Sequence, residues 1–184
     1  MNFPGTVIEA ETLERGASKT LFQGIFATGG VTLSQIALMT GLENHTVQNW
    51  VKRGYVSSPK GRVYSKDQFA RIVIINMLKE CLSLENICTL IGHINGALDD
   101  ESDDRIGDSE LYHRYVDMII SVGKTFADSS EIKAAAMNAC TDYSVGDTDT
   151  QWRLCDVLYI MAFSHYCAEA KKEAHRALTR IQSK

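Results

Sequence analysis

From Gln151 to Gln182 the chain contains neither glycine nor proline. Nothing in that run stops a helix, so a single rod approaching about 45 Å is allowed at about 1.5 Å per residue. Its first part, WRLCDVLYIMAFSHYC, is apolar on most sides and should be buried. Its second part narrows to Ala170, Ala174, Ala177 and Ile181, a seam of the kind that pairs helices in coiled coils. Small alanines on such a seam permit close approach of a twin helix, and a homodimer is expected. The remaining sequence agrees with a helical fold. Only two prolines, Pro4 and Pro59, occur in 184 residues, far too few turn signals for a sandwich or barrel of short strands.

With 45% hydrophobic and 23% charged residues the composition is that of an ordinary globular protein, large enough to fold without a disulfide or metal staple. The longest apolar run, Ile72 to Leu78, is interrupted by Asn76 and falls far short of the roughly 20 residues that cross a bilayer. The opening MNFPGTVIEAE has neither a basic leader nor an export-length apolar segment, so a cytoplasmic location is expected. Cys81, Cys88, Cys140, Cys155 and Cys167 form no CxxC pair and read as small core residues. The histidines fall in no HxxxH or HExxH spacing, and neither a metal nor another cofactor is expected.

Charge is unevenly placed. Between residues 30 and 80, Lys52, Arg53, Lys60, Arg62, Lys66, Arg71 and Lys79 stand against Glu43, Asp67 and Glu80. Seven bases less three acids is +4 on a chain of net charge −4, the balance of a phosphate-facing surface or of a solvated helix face. The acidic run Asp99 to Asp108 lacks the glycine at the sixth loop position and the terminal glutamate of an EF-hand loop. It reads as a solvated linker, residues 97–108, between a unit at 20–96 and a helical unit at 109–184.

The segment TLSQIALMTGLENHTVQNWVKRGYV carries the most information. Thr32 and Gln35 form a capping box, and Leu33, Ile36, Ala37 and Met39 give the apolar face of a helix that Gly41 ends. Asn44 can cap a second helix with a buried stripe of Val47, Trp50 and Val51. A small residue at Ala37, Gly41 four later and Val47 six after that suit two closely crossing helices, a helix-turn-helix. In YVSSPKGRVY, Tyr55 to Ser57 and Arg62 to Tyr64 flank turn residues, predicting a short hairpin with a basic tip. Ser65 with Gln68 then caps a helix bearing Phe69, Ile72, Val73 and Met77, and a further helix is predicted over Ser83 to Ile91.

This order resembles the MerR-like winged-helix family over residues 31 to 92. More closely, the run from VQNWVKRGYV through KGRVYSKDQFARIVIINMLK to NGALDDESDD and DSELY is similar to an uncharacterised bacterial family, domain of unknown function 1836, whose members are thought to be DNA-binding regulators. The resemblance implies that Thr46, Gln48, Asn49 and Lys52 face DNA from the recognition helix, with Arg62 and Tyr64 on the wing. Asn44, His45 and Lys60 complete the candidate set. MerR-like proteins usually carry arginine and tyrosine where this chain has Gln48 and Asn49, and their wing is longer. Glutamine and asparagine suit bidentate contact with adenine, which would move emphasis from backbone to base.

Beyond the linker, helices are predicted from about Ser109 to Phe126 and around Ile132 to Tyr143. Tyr112, Tyr143, Tyr159 and His165 are candidates to line an effector pocket. The expected molecule is all-α with a small β-hairpin wing, a MerR-like winged helix-turn-helix plus a C-terminal helical domain. The function expected is sequence-specific binding of double-stranded DNA for transcriptional control, the alternative being a protein-interaction module on a winged-helix fold. An enzyme is not expected, since no nucleophile and base share a recognisable motif and no phosphate-binding glycine loop occurs.

Overall fold

The computed structural model describes residues 2–96, 105–123, 128–143 and 148–182. The chain is mostly helical: α1 (Ala17–Ile25), β1 (Val31–Thr32), α2 (Leu33–Thr40), α3 (Asn44–Lys52), β2 (Val63–Tyr64), α4 (Lys66–Leu78), α5 (Leu84–Asn95), α6 (Asp108–Val122), α7 (Ser129–Ala139) and α8 (Thr148–Gln182). The expected long rod exists and starts three residues earlier than Gln151. Among the described residues no helix is long and apolar enough to cross a membrane.

Helix α4 is the axis of the molecule. Phe69, Ala70, Ile72, Val73, Ile74, Ile75, Met77 and Leu78 are all buried, so these turns of the helix are buried all round, which requires neighbours on every side. It packs against α2, α5, α6 and α8. The N-terminal segment closes over it. Asn76 donates to the carbonyls of Gly5 (2.9 Å) and Thr40 (3.1 Å), and the Tyr112 hydroxyl donates to Pro4 O at 2.9 Å. Gly5 sits at φ 75°, and a Cβ there would fall 2.3 Å from Val73 O, so the close approach admits only glycine.

Buried residues from Phe22 to Tyr166 form one continuous cluster. Residues 97–104 of the expected acidic linker lie outside the described residues, but its end is not a solvated strap. Ile106 is buried, and its N–H and C=O both bond the side chain of Asn95, at 3.2 and 2.6 Å. Asp67 of α4 accepts from the N–H (2.9 Å) and hydroxyl (2.7 Å) of Ser109, supplying from another helix the cap that Gly107 cannot. The guanidinium of Arg71 meets Asp108 at 2.7 Å, with both side chains about nine-tenths buried. Burial pushes the Asp108 carboxyl up, although Arg71 pulls it the other way.

The hairpin differs from expectation in its partner strand. β2 pairs antiparallel with β1, Tyr64 opposite Val31 and Val63 opposite Thr32, whereas Tyr55 to Ser57 form no strand. The tip itself forms: Val63 N–H bonds Lys60 O at 3.1 Å around Gly61 (φ 58°) and Arg62 (φ 70°), the type I′ pattern of two positive φ angles. The arm before it turns away to pack Val56 into the core, a choice that strand propensity does not encode. The cysteines also divide. Cys140 and Cys155 are buried as expected, Cys81 and Cys88 are half-buried, and Cys167 is exposed.

Candidate nucleic-acid interface

Local chemistry builds α2 and α3 much as the sequence implies. Thr32 and Gln35 complete a capping box, with Thr32 N–H donating to Gln35 Oε1 at 2.8 Å. Gly41 ends α2 at φ 72°, donating to Ala37 O at 2.9 Å. One detail is corrected: the N-cap of α3 is Glu43, with no side-chain cap, and Asn44 is the first helical residue. Thr46 N–H is satisfied by Glu43 O at 2.9 Å, leaving the Asn44 side chain outward.

Val47, Trp50 and Leu42 are buried, anchoring α3 against the body. At 100° per residue the exposed positions 45, 48, 49 and 52 fall on the opposite face, with 44 at its edge. Asn44, His45, Gln48, Asn49 and Lys52 are all exposed and Thr46 is half-buried. Among the described residues none of these side chains makes a hydrogen bond or ion pair within the chain. The same holds for exposed Lys60 and Arg62 at the turn.

Tyr64 does not belong in this set. It is 4% exposed, because its place opposite Val31 points the ring into the core, and burial raises its hydroxyl pKa. Two bases of the positive segment are also committed elsewhere. Arg71 is consumed by Asp108, and Arg53 meets Glu85 at 3.0 Å while stacking 4.8 Å over Tyr55. The Tyr55 hydroxyl donates to Glu85 at 2.7 Å and is the main reason its carboxyl is held below the usual range. Conversely, Lys66 is exposed at the first residue of α4, directly after the turn and Ser65. Its charge belongs to the +4 of that segment, and the fold sets it beside the basic turn.

A groove of about 560 Å³ runs between the turn and the N-termini of α4 and α6, lined by Lys60, Val63, Gln68, Arg71 and Asp108 among others. The proposed effector residues do not share it. Tyr112 stacks on Phe22, Tyr143 lies under Arg114, Tyr159 meets Phe163 and His165 meets Tyr115. Helix α8 has an exposed stripe running through Trp152, Ile160, Phe163, Ala170, Ala174, Leu178 and Ile181. That is longer than the seam read from the sequence, since it continues over the outer side of the buried half.

Comparison with known proteins adds one finding. No curated protein and no solved structure matches the chain. Residues 31–115, from β1 into α6, match the family model described as "Domain of unknown function (DUF1836)".

Proposed function

We propose that the protein is a sequence-specific DNA-binding regulator in which α2 and α3 act as a helix-turn-helix, α3 enters the major groove, and the basic turn at Lys60 to Arg62 grips the backbone as a MerR-like wing. The observation that carries this reading is the polar face of α3. Asn44, His45, Gln48, Asn49 and Lys52 are exposed together on a firmly anchored helix and uncommitted within the fold, which is what direct base readout needs. Lys60, Arg62 and Lys66 supply further exposed cations a little later in the sequence. The exposed stripe of α8 supports a homodimer, which would place two such units on a symmetric site.

The test is fluorescence anisotropy with duplexes selected from genomic fragments, repeated over a range of salt. Lys52, Lys60, Arg62 and Lys66 make a few phosphate contacts per subunit, each contributing about 0.9 to the slope of log K against log salt. Replacing Gln48 or Asn49 by Ala costs about 1 to 3 kcal/mol on the preferred duplex and little on others. A salt-independent affinity sinks the proposal.

The second reading, a protein-interaction module, has one observation in its favour. Leu38 on α2 is 79% exposed, and Val7, whose N–H bonds Met39 O at the end of the same helix (2.9 Å), is 50% exposed. Loss of function in Leu38→Ala with duplex binding intact would favour it.

A further inference from the structure

The groove between the basic turn and the N-termini of α4 and α6 holds a carboxylate that the fold leaves half-satisfied. Asp108 lines the groove, is about nine-tenths buried, and accepts from Arg71 Nε through Oδ2 at 2.7 Å. Its other oxygen, Oδ1, is buried and finds no hydrogen-bond partner among the described residues, a condition in which native structures leave few polar atoms. Arg71, also on the groove wall, is in the matching state. Asp108 balances its charge without exhausting its hydrogen bonds, because only Nε is spent and neither terminal nitrogen has a partner among the described residues.

The spare acceptor and the spare donors each stand one bond angle from the same 2.7 Å contact, so they lie side by side. Other polar groups of the wall are committed. Gln68 donates to Ser57 and Ser58 and accepts from Ser65 N–H, and Asp67 Oδ1 accepts from Ser109. Lys60 and Arg71 face Asp67 and Asp108 across the groove's lining, two charges of each sign, so the site favours neither an anion nor a cation. Its volume of about 560 Å³ falls in the range of roughly 300 to 1,000 Å³ that small-molecule sites occupy.

We propose that this groove binds a small neutral molecule through an amide edge, a C=O beside an N–H of the kind that nucleobases and carboxamides carry. The ligand carbonyl accepts from a terminal nitrogen of Arg71, and the ligand N–H donates to Asp108. An aspartate carboxyl turns about a broad, two-fold torsion, so it offers the spare oxygen to the groove while the other keeps Arg71. Both contacts are charge-assisted and stronger than neutral ones. A molecule so held touches α6 through Asp108 and the basic turn through Lys60 and Val63, which line the same groove, and braces that turn against the helical body. The site does not depend on the DNA-binding reading.

The full-length protein is titrated by isothermal calorimetry with uridine and inosine, which carry the edge on a nucleobase, with nicotinamide, which carries it as a carboxamide, and with 3-methyluridine, which keeps the carbonyls and loses the N–H. The expected result is saturable binding of a nucleoside or of nicotinamide, the tighter of the two naming the source, and binding of 3-methyluridine weaker than uridine by about 10-fold or more. Asp108→Asn places an N–H where the ligand's own N–H must donate and should weaken binding by a similar factor. Val63→Trp, at an exposed position of the lining, fills the groove from outside the core and should abolish binding with Tm unchanged, which decides the matter if Asp108→Asn folds poorly. No binding of any probe at millimolar concentration, equal binding of uridine and 3-methyluridine, or undiminished binding by folded Val63→Trp each overturns the proposal.

Discussion

At the scale of the residue, Arg62 shows how position and charge can be separated. It is the only non-glycine residue at positive φ among those described, a conformation that strains a side-chain-bearing residue by about 1 kcal/mol or more. Arg62→Gly relieves that strain while removing a cation. The expected outcome is an unchanged or slightly raised Tm together with weaker binding to all duplexes and a smaller salt slope. A Tm lower by several degrees would mean that the arginine is held by contacts rather than strained. Arg71 is the opposite case, a charge that serves the fold. Arg71→Met leaves Asp108 buried without its counter-ion and should cost about 3 to 5 kcal/mol in urea unfolding, much of it recovered when Asp108→Asn is added.

At the scale of the element, α8 is two helices in one. Its first half buries Leu154, Val157, Leu158, Met161 and Ala162 against α4, α5, α6 and α7, and its last turns reach solvent. Glu80–Lys171 and the Glu169–Lys172, Glu173–Arg176 and Glu173–Arg180 pairs decorate that end. Exposed pairs of this kind contribute little to stability, so in the proposed homodimer the apolar stripe, not the charges, would hold the partner. Ala174→Glu combined with Ala177→Glu forces carboxylates into the seam and should weaken dimerisation about 100-fold or more, with the core untouched. Light scattering across a concentration series, beside an unchanged Tm, is the check. A native monomer at micromolar concentration would remove the dimer from the proposal.

At the scale of the whole molecule, the continuous core makes acid stability a global property. His113, which shares a 3.0 Å hydrogen bond with Ser18, and His165, set among Tyr115 and Tyr166, are both held below the ordinary histidine value, chiefly by burial. Their folded forms resist protonation that the unfolded chain accepts. Stability is therefore fully present above the unfolded value of about 6.5 and is lost as pH falls through it towards the folded value. Asp108, raised by burial, works in the opposite direction, losing stability as pH rises from the ordinary carboxylate range. From about pH 7.5 to 5.5 the histidines dominate, so unfolding free energy should fall by up to about 1.4 kcal/mol per pH unit for each group. His113→Asn should flatten that slope, measured by urea unfolding at each pH. An unchanged slope would show that His113 protonates freely in the folded state.

What the sequence determined by itself was local. Gly41, the capping boxes of Thr32 with Gln35 and Ser65 with Gln68, and the unbroken run to Gln182 all act within a few residues, and each formed as read. The outward face of α3 was also legible, because Val47 and Trp50 at three-residue spacing can be buried only if Gln48 and Asn49 are not. Tertiary structure decided whatever depended on a partner distant in sequence. Tyr64 became core because β2 found Val31 more than thirty residues upstream, and a two-residue strand carries no periodicity that could announce the pairing. Arg53 and Arg71 left the basic surface because Glu85 and Asp108 neutralise them from other helices. The end of the acidic run became a buried junction because Asn95 and Asp67 satisfied backbone groups that would otherwise need water. Composition records how many charges a chain carries, and only folding determines which of them remain for a ligand.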